Sequence, residues 1–565
     1  MKGADAMQMT PEMVFGQMTQ EGDVLLHALD AHAVRMPDKL LVHYGDENLD
    51  LSFAEFVTRT KRMAVALAAQ GVGPGDHVSV HSHNGLITAL SMFAIWRLGA
   101  VFAPVNYNLR GGFLTYQIGD TGPRAIIADA TGIEMIKALR SGLPDFTLIG
   151  PGGDVEAYEA DGPLPRTDVL GAADTAAIIY TSGTTGPAKG VRLGHRWINQ
   201  YCYTSRDINT ADDVVHCDLP LYHVGGAFNL FGRAVWTGCS VGLWDRFSAS
   251  EYWARVAKVG ASATTLLDVM IPHIMSQPER PADAANTLNK VHIQPYTPRH
   301  QLFARRFGID FISVGFGQTE SGSVFAGILD EFPDGQGTPA ALWKGHDKET
   351  YRARVTALGR PVFDGREILP KGIMGSPVKF FEAAALDAHD MPVPDGEVGQ
   401  LCLRPRFPEM ILQGYLNKPE ATLKVLRNCW FHTGDAVRRI DAEKNLFVFI
   451  DRMGGYFRVR GENVSSFEVE SVILDIPGVR ACAAVPIPAA LGEEDDIVVW
   501  IEPEPGVTLT QAQVDAHTER EMPRYMRPRH VRFIDALPIT PTSKVEKYKL
   551  RQRILDELSA GETTT

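Results

Sequence analysis

The sequence predicts an α/β protein with largely parallel sheets and a smaller, separately folded C-terminal end. Three observations carry this. Residues 24–150 alternate helical and strand patterns, as strands joined by crossover helices do. The chain has 565 residues, more than one ordinary hydrophobic core holds. From residue 453 onward a compact strand–helix–strand series replaces the earlier alternation.

The elements follow in order. Ser52-Phe53-Ala54-Glu55 reads as a helix start, with Ser52 capping and Glu55 reaching back. Residues 87–98 read as a buried helix stopped by Gly99, and 101–105, 125–128, 176–179 and 311–314 as short buried strands. In the tail, 479–486, 496–501 and 530–534 read as strands. Thr510 opens a helix to about residue 521, and Gln513 completes a second capping box. The boundary between residues 1–452 and 453–565 is set where Arg452-Met453-Gly454-Gly455 offers little local structure. The span 320–375 is long for a connection, mixed in charge and rich in Gly and Pro, which predicts a lid or an oligomer contact.

Composition narrows the function classes. Hydrophobic residues make up 45% and charged residues 22%, a globular balance, and the net charge of −13 argues against a nucleic-acid surface. Six scattered cysteines without a Cys-x-x-Cys pair fit reduced thiols in a cytoplasmic protein, not a disulfide framework or zinc site. The N-terminus shows no secretory signal. Apolar runs are interrupted well short of about 18 residues, so no integral membrane association is expected.

The most informative segment is Tyr180-Thr181-Ser182-Gly183-Thr184-Thr185-Gly186-Pro187-Ala188-Lys189-Gly190. Glycines allow backbone N–H groups to approach oxygens, hydroxyls donate hydrogen bonds, and Lys189 adds positive charge: a set suited to a polyphosphate. It departs from the usual P-loop, because Lys189 does not follow a glycine and no Ser or Thr follows it. It resembles the phosphate-binding signature of the adenylate-forming superfamily, which includes acyl-CoA synthetases.

Further segments match that family in order. The resemblance covers residues 24–555 and implies a large N-terminal domain, with two β-α-β subdomains and a small β-barrel, plus a mobile C-terminal domain. Its cofactors would be ATP/AMP, Mg²⁺ and coenzyme A. By resemblance, Thr181, Ser182, Gly183, Thr184, Thr185 and Lys189 hold phosphates. In Gly315-Phe316-Gly317-Gln318-Thr319-Glu320, the Phe316 ring, at a position where tyrosine is commoner in the family, stacks on adenine, and Gly317 and Gln318 join it in binding the nucleotide. Thr319 contacts phosphate and Glu320, with Thr184, serves Mg²⁺. Asp435 accepts the ribose hydroxyls, and Arg452 reaches the ribose. His223 gates the acid pocket, and Gly225, Gly226, Gln294 and Gly315 line it. Gly461 borders the pantetheine arm, and Arg460 either meets a CoA phosphate or faces solvent. Lys544 bridges the carboxylate and the α-phosphate. The chain departs from the family at the hinge glycine Gly454, at Arg460, at Ser543 and in the polar turn 291–298.

These matches imply a two-step ligase: an acid is adenylated, then passed to CoA, with a weak hint toward the crotonobetaine/carnitine and fatty-acid branch. A ligase loading a carrier-protein pantetheine, or a member specialised for one half reaction, stays open, as does the choice between monomer and homodimer. A non-catalytic nucleotide-binding module fits less well, because pure binding needs no catalytic lysine.

Overall fold

The computed structural model describes residues 8–165, 170–181, 188–453, 456–459, 462–488, 495–522, 524–539 and 545–562. Two large sheets organise the chain. In the first, Leu40–Tyr44, Ser240–Leu243, Val214–Cys217, Ala263–Leu267, Lys290–Gln294 and Phe311–Gln318 run parallel in that spatial order. In the second, Val101–Pro104, His77–His81, Ala125–Ala128 and Thr147–Ile149 are parallel, and Thr175–Thr181 joins them beside Val101–Pro104. Both sheets are packed by helices, so their parallel strands carry mostly apolar residues. Gly85–Arg97 is buried nearly all round, with Asn84 accepting from the Ile87 N–H at its start.

Local signals hold where they rest on capping chemistry. Ser52 with Glu55, and Thr510 with Gln513, form the two capping boxes. The strands expected in a small barrel continue the first sheet as an antiparallel run: Ile373–Pro377, Leu446–Arg452, Trp430–Asp441, Val398–Pro405 and Phe381–Leu386. The C-terminal end has its own core around a three-stranded sheet, Val479–Pro488, Asp495–Pro503 and His530–Phe533, with the helices Ser466–Leu474, Gln511–Glu521 and Lys547–Glu562. The molecule is thus mixed α/β, with a large N-terminal and a small C-terminal domain.

The span 320–375 corrects the sequence expectation of a lid. Gly322–Asp330 pairs antiparallel with Phe311–Gln318, and Val362–Asp364 pairs along it. The helix Lys348–Ala357, capped by Asp347, buries Tyr351 and Val355 against Ile208, Phe311 and Ile328. Two apolar anchors among Lys, Arg, Glu and Thr leave a faint helical period, which is why the segment reads as a loop.

Candidate active site

The hydroxyl-rich loop joins two antiparallel strands, Thr175–Thr181 and Lys189–Gly194. Its residues Ser182, Gly183, Thr184 and Thr185 lie outside the described residues. Thr181 and Lys189 are register partners at the loop's two ends, and the Tyr116 hydroxyl donates to the Ala188 carbonyl at 2.9 Å. The short strand Gly414–Tyr415 adds to this pair and brings an aromatic ring beneath the lysine: Lys189 Nζ stands 4.8 Å from the Tyr415 ring centre. The Tyr415 hydroxyl donates to Glu320 Oε1 at 3.0 Å. Burial, and then the Glu320 charge, push the phenol well above its ordinary value, so it stays a neutral donor. The two backbone segments are fastened together. Leu412 N–H donates to the Glu320 carbonyl at 2.7 Å, and buried Gln200 donates to the Ser321 and Met410 carbonyls at 2.9 and 3.1 Å. A cation, a hydroxyl and a carboxylate from three distant segments thereby meet.

A second group stands beside it. Asp435 is fully buried, and Arg452, its register partner on the adjacent strand, places Nε 3.0 Å from Oδ1. The Gln318 amide donates to Asp435 Oδ2 and, at 3.1 Å, to the Thr433 carbonyl. Thr433 in turn accepts from the Asp435 N–H at 3.1 Å and donates to the Leu401 carbonyl at 2.8 Å. The Phe316 ring is held by Phe449, stacked at 6.3 Å, and by Phe325, edge-on at 6.1 Å. Thr319 is buried at the start of the turn that carries Glu320. Gly315 and Gly317 have a structural reason: a Cβ at either would lie 2.5 Å from a carbonyl oxygen of the paired strand.

At the opposite end, His223 is exposed before a π-helical segment, Gly225–Gly232, and its Nδ1 accepts from the Gly225 N–H at 3.3 Å. Gly226 corrects its sequence reading. It is buried, and a Cβ there would sit 2.5 Å from the Pro220 carbonyl oxygen, so it answers close backbone packing and leaves no room for a substrate. Gly225 is half-buried, with only ordinary contacts to His223 and Leu219. Gln294 ends the strand Lys290–Gln294 and stays half-buried beside His292, whose Nε2 stands 3.1 Å from Gln294 Oε1.

Lys544, Arg460, Gly461 and Gly454 lie outside the described residues. The structure does locate the segment just past Lys544. Lys547 pairs with Glu470 at 2.7 Å, and Ser466 on the same helix as Glu470 donates to Asp451, the neighbour of Arg452. Sequence reasoning missed the bonding roles of Tyr415 and Gln200. The residue types of Gly414-Tyr415 give no chemical cue by themselves, and Gln200 sits in a helix with no motif around it.

Comparisons with known proteins identify the family and the fold. The AMP-binding enzyme family profile matches residues 29–416, and the profile of the AMP-binding enzyme C-terminal domain matches 468–544. A sulfoacetate–CoA ligase of Cupriavidus necator is 29% identical over 94% of this chain and 97% of its own length. A crotonobetaine/carnitine–CoA ligase of Salmonella typhimurium is 27% identical over 92% of this chain and 98% of its own. Among solved structures, ATP-bound MatB from Rhodopseudomonas palustris aligns with a TM-score of 0.73 at 23% identity, over 96% of this chain and 99% of that one. The O-succinylbenzoate coenzyme A synthetase of Bacillus subtilis with AMP aligns at 0.75 and 19%, over 93% and 98%. At these identities the structures speak for the fold, and the profile for the family: the chain belongs to the AMP-binding enzymes.

Proposed function

We propose that the chain is an AMP-forming acid–thiol ligase of the cytoplasm that activates a carboxylic acid with ATP and transfers the acyl group to coenzyme A. The observation that carries this reading is the meeting of Lys189, Tyr415 and Glu320 beside the Phe316, Gln318, Asp435 and Arg452 group. One half suits phosphates and the other a nucleoside. The domain boundary is placed at 452/453, directly after Arg452.

The roles follow from chemistry. Lys189 and the loop 181–185 hold phosphate oxygens, and Lys189 favours departure of pyrophosphate. The buried Asp435 carboxylate, with two acceptor oxygens, takes the ribose hydroxyls, and exposed Arg452 reaches toward the same sugar. Phe316, fixed by two other rings, offers a flat face to adenine. Glu320 fits a magnesium ion that phosphate oxygens also hold, because a hard cation of this kind needs only one or two protein carboxylates. Thr184 would assist, and the ion would offset phosphate charge. Tyr415 fixes the Glu320 carboxylate in place.

In the first step the acid's carboxylate attacks the α-phosphorus, pyrophosphate leaves, and Lys544 offsets the growing charge. The C-terminal domain then turns about Gly454, bringing Gly461 and its loop to the site. The CoA thiol attacks the acyl carbon and AMP departs. Incubation with ATP, CoA and a panel of acids, with AMP and acyl-CoA read by mass, tests the reading. Adenylate without thioester, or transfer only to a carrier-protein pantetheine, would replace the CoA step. No AMP with any acid would remove the ligase assignment.

A further inference from the structure

Beneath Gln294 the first sheet carries an unusual polar layer. Thr265, His292 and Ser313 are register partners on three neighbouring parallel strands, and such partners present their side chains to one face. The π-helical segment packs on this sheet, and the helix Arg233–Thr237 continues it. From it, Asn229 donates to Thr265 Oγ1 at 3.2 Å and accepts from Ser205 Oγ at 2.9 Å. His292 Nδ1 stands 3.0 Å from Ser313 Oγ, and its Nε2 meets Gln294. Layers at this depth are ordinarily apolar. His292, Ser313 and Gly315 also keep accessible surface, unlike Val291, Ile293 and Ile312 beside them.

Arg233 lies one helical turn beyond Asn229 on the same stripe. It is 3% exposed, and its Nε and Nη2 are enclosed with no hydrogen-bond partner among the described residues. Other buried arginines are answered. Arg97 forms a two-pronged contact with Asp30 at 2.9 and 2.7 Å, and Arg360 donates to the Thr204 carbonyl at 2.5 Å. Asp213, an acid within the field of Arg233, is already engaged by Lys290 at 2.8 Å and Ser262 at 2.5 Å. Arg233 stands on the helical turn that follows Asn229, within electrostatic reach of the polar layer. Its charge is felt at His292, whose proton affinity is lowered by burial first and by Arg233 in the same sense. A buried, unanswered guanidinium is costly, and a planar fork of donors matches a carboxylate or sulfonate.

We propose that Arg233, with Asn229 and His292, receives a second anionic group at the far end of the acid. The preferred substrates are then short acids that carry a distal carboxylate or sulfonate. This rests on the ligase reading for the reacting end of the acid, and adds a specificity-determining residue to it.

The test compares dicarboxylates and ω-sulfonated acids with monocarboxylates of equal chain length, in the wild type and Arg233→Met. The wild type is expected to favour the doubly charged acid in kcat/KM. In the variant that preference falls about 100-fold, chiefly through KM, as expected when one partner of a buried charge pair is truncated. Methionine replaces an unpaired buried charge with apolar volume, so the variant is expected to melt at or above the wild-type temperature. A wild type that favours the plain monocarboxylate, or a preference unchanged in Arg233→Met, would overturn the proposal. Calorimetry of the doubly charged acid without nucleotide repeats the comparison without turnover: heat lost in the variant supports it, equal heat contradicts it. Binding through Arg233 with no adenylate from any acid would sink the ligase reading and leave this one standing.

Discussion

At the nucleotide end, each charged group meets a protein partner: Lys189 stands over the Tyr415 ring, Tyr415 donates to Glu320, and Arg452 faces Asp435. At the acid end, the enclosed nitrogens of Arg233 meet no protein acceptor among the described residues. The difference follows the chemistry each end serves. A nucleotide is the same for every acid, so its cradle can be built from mutually supporting pairs. The acid sets specificity, and a charge held in reserve waits for a charge on the substrate.

The largest expected effect comes from the lysine that would bridge the two ends. Lys544→Ala should lower adenylation about 10²–10³-fold while thioester formation from supplied acyl-adenylate is largely spared. Equal loss in both half reactions would remove Lys544 from the first step. The Arg233→Met selectivity change ranks next, and tells whether the acid end differs in kind from the nucleotide end.

Asp435→Ala should then weaken ATP binding by about 10–100-fold, because it deletes the ribose acceptor and strands the Arg452 charge and the Gln318 amide. Unchanged nucleotide affinity by calorimetry would count against that role. A smaller effect is expected for Tyr415→Phe, which keeps the ring under Lys189 and removes only the bond to Glu320. The magnesium concentration needed for half-maximal rate should rise about threefold to tenfold, the net worth of one typical hydrogen bond; a flat response would separate Tyr415 from the metal.

A change of another kind concerns stability away from both ends. Burial holds His81 and His195 at about 4, below the ordinary histidine value. The unfolded chain therefore binds more protons between pH 6.5 and 4, and stability falls as pH drops through that window. Acidification from about pH 7 to 5 should cost about 1–2 kcal/mol per histidine. Denaturant midpoints would show it, and His195→Gln should flatten the slope; equal slopes would contradict the assignment.

Much of the fold was legible where local chemistry is self-contained. The capping boxes at Ser52 and Thr510 and the apolar strands at 125–128 and 311–314 form as read. The helix Lys348–Ala357 was hidden, because tertiary burial of Tyr351 and Val355 fixes it, not periodicity. The nucleotide end was legible as ordered motifs, although its fastening by Gln200 and Tyr415 joins residues 95 to 210 positions apart. Gly226 misled because a missing side chain reads alike whether a ligand or a backbone takes the space. Arg233 left no trace in the motifs, since its meaning lies in the partners it lacks.

The central claim is ATP-dependent activation of an acid, and the most direct measurement is acid-dependent exchange of labelled pyrophosphate into ATP, without CoA. The account predicts exchange that needs an acid, is strongest with one bearing a distal anion, and collapses in Lys544→Ala. Label entering ATP at the same rate with no acid present, or no exchange with any acid while ATP still binds, would contradict it.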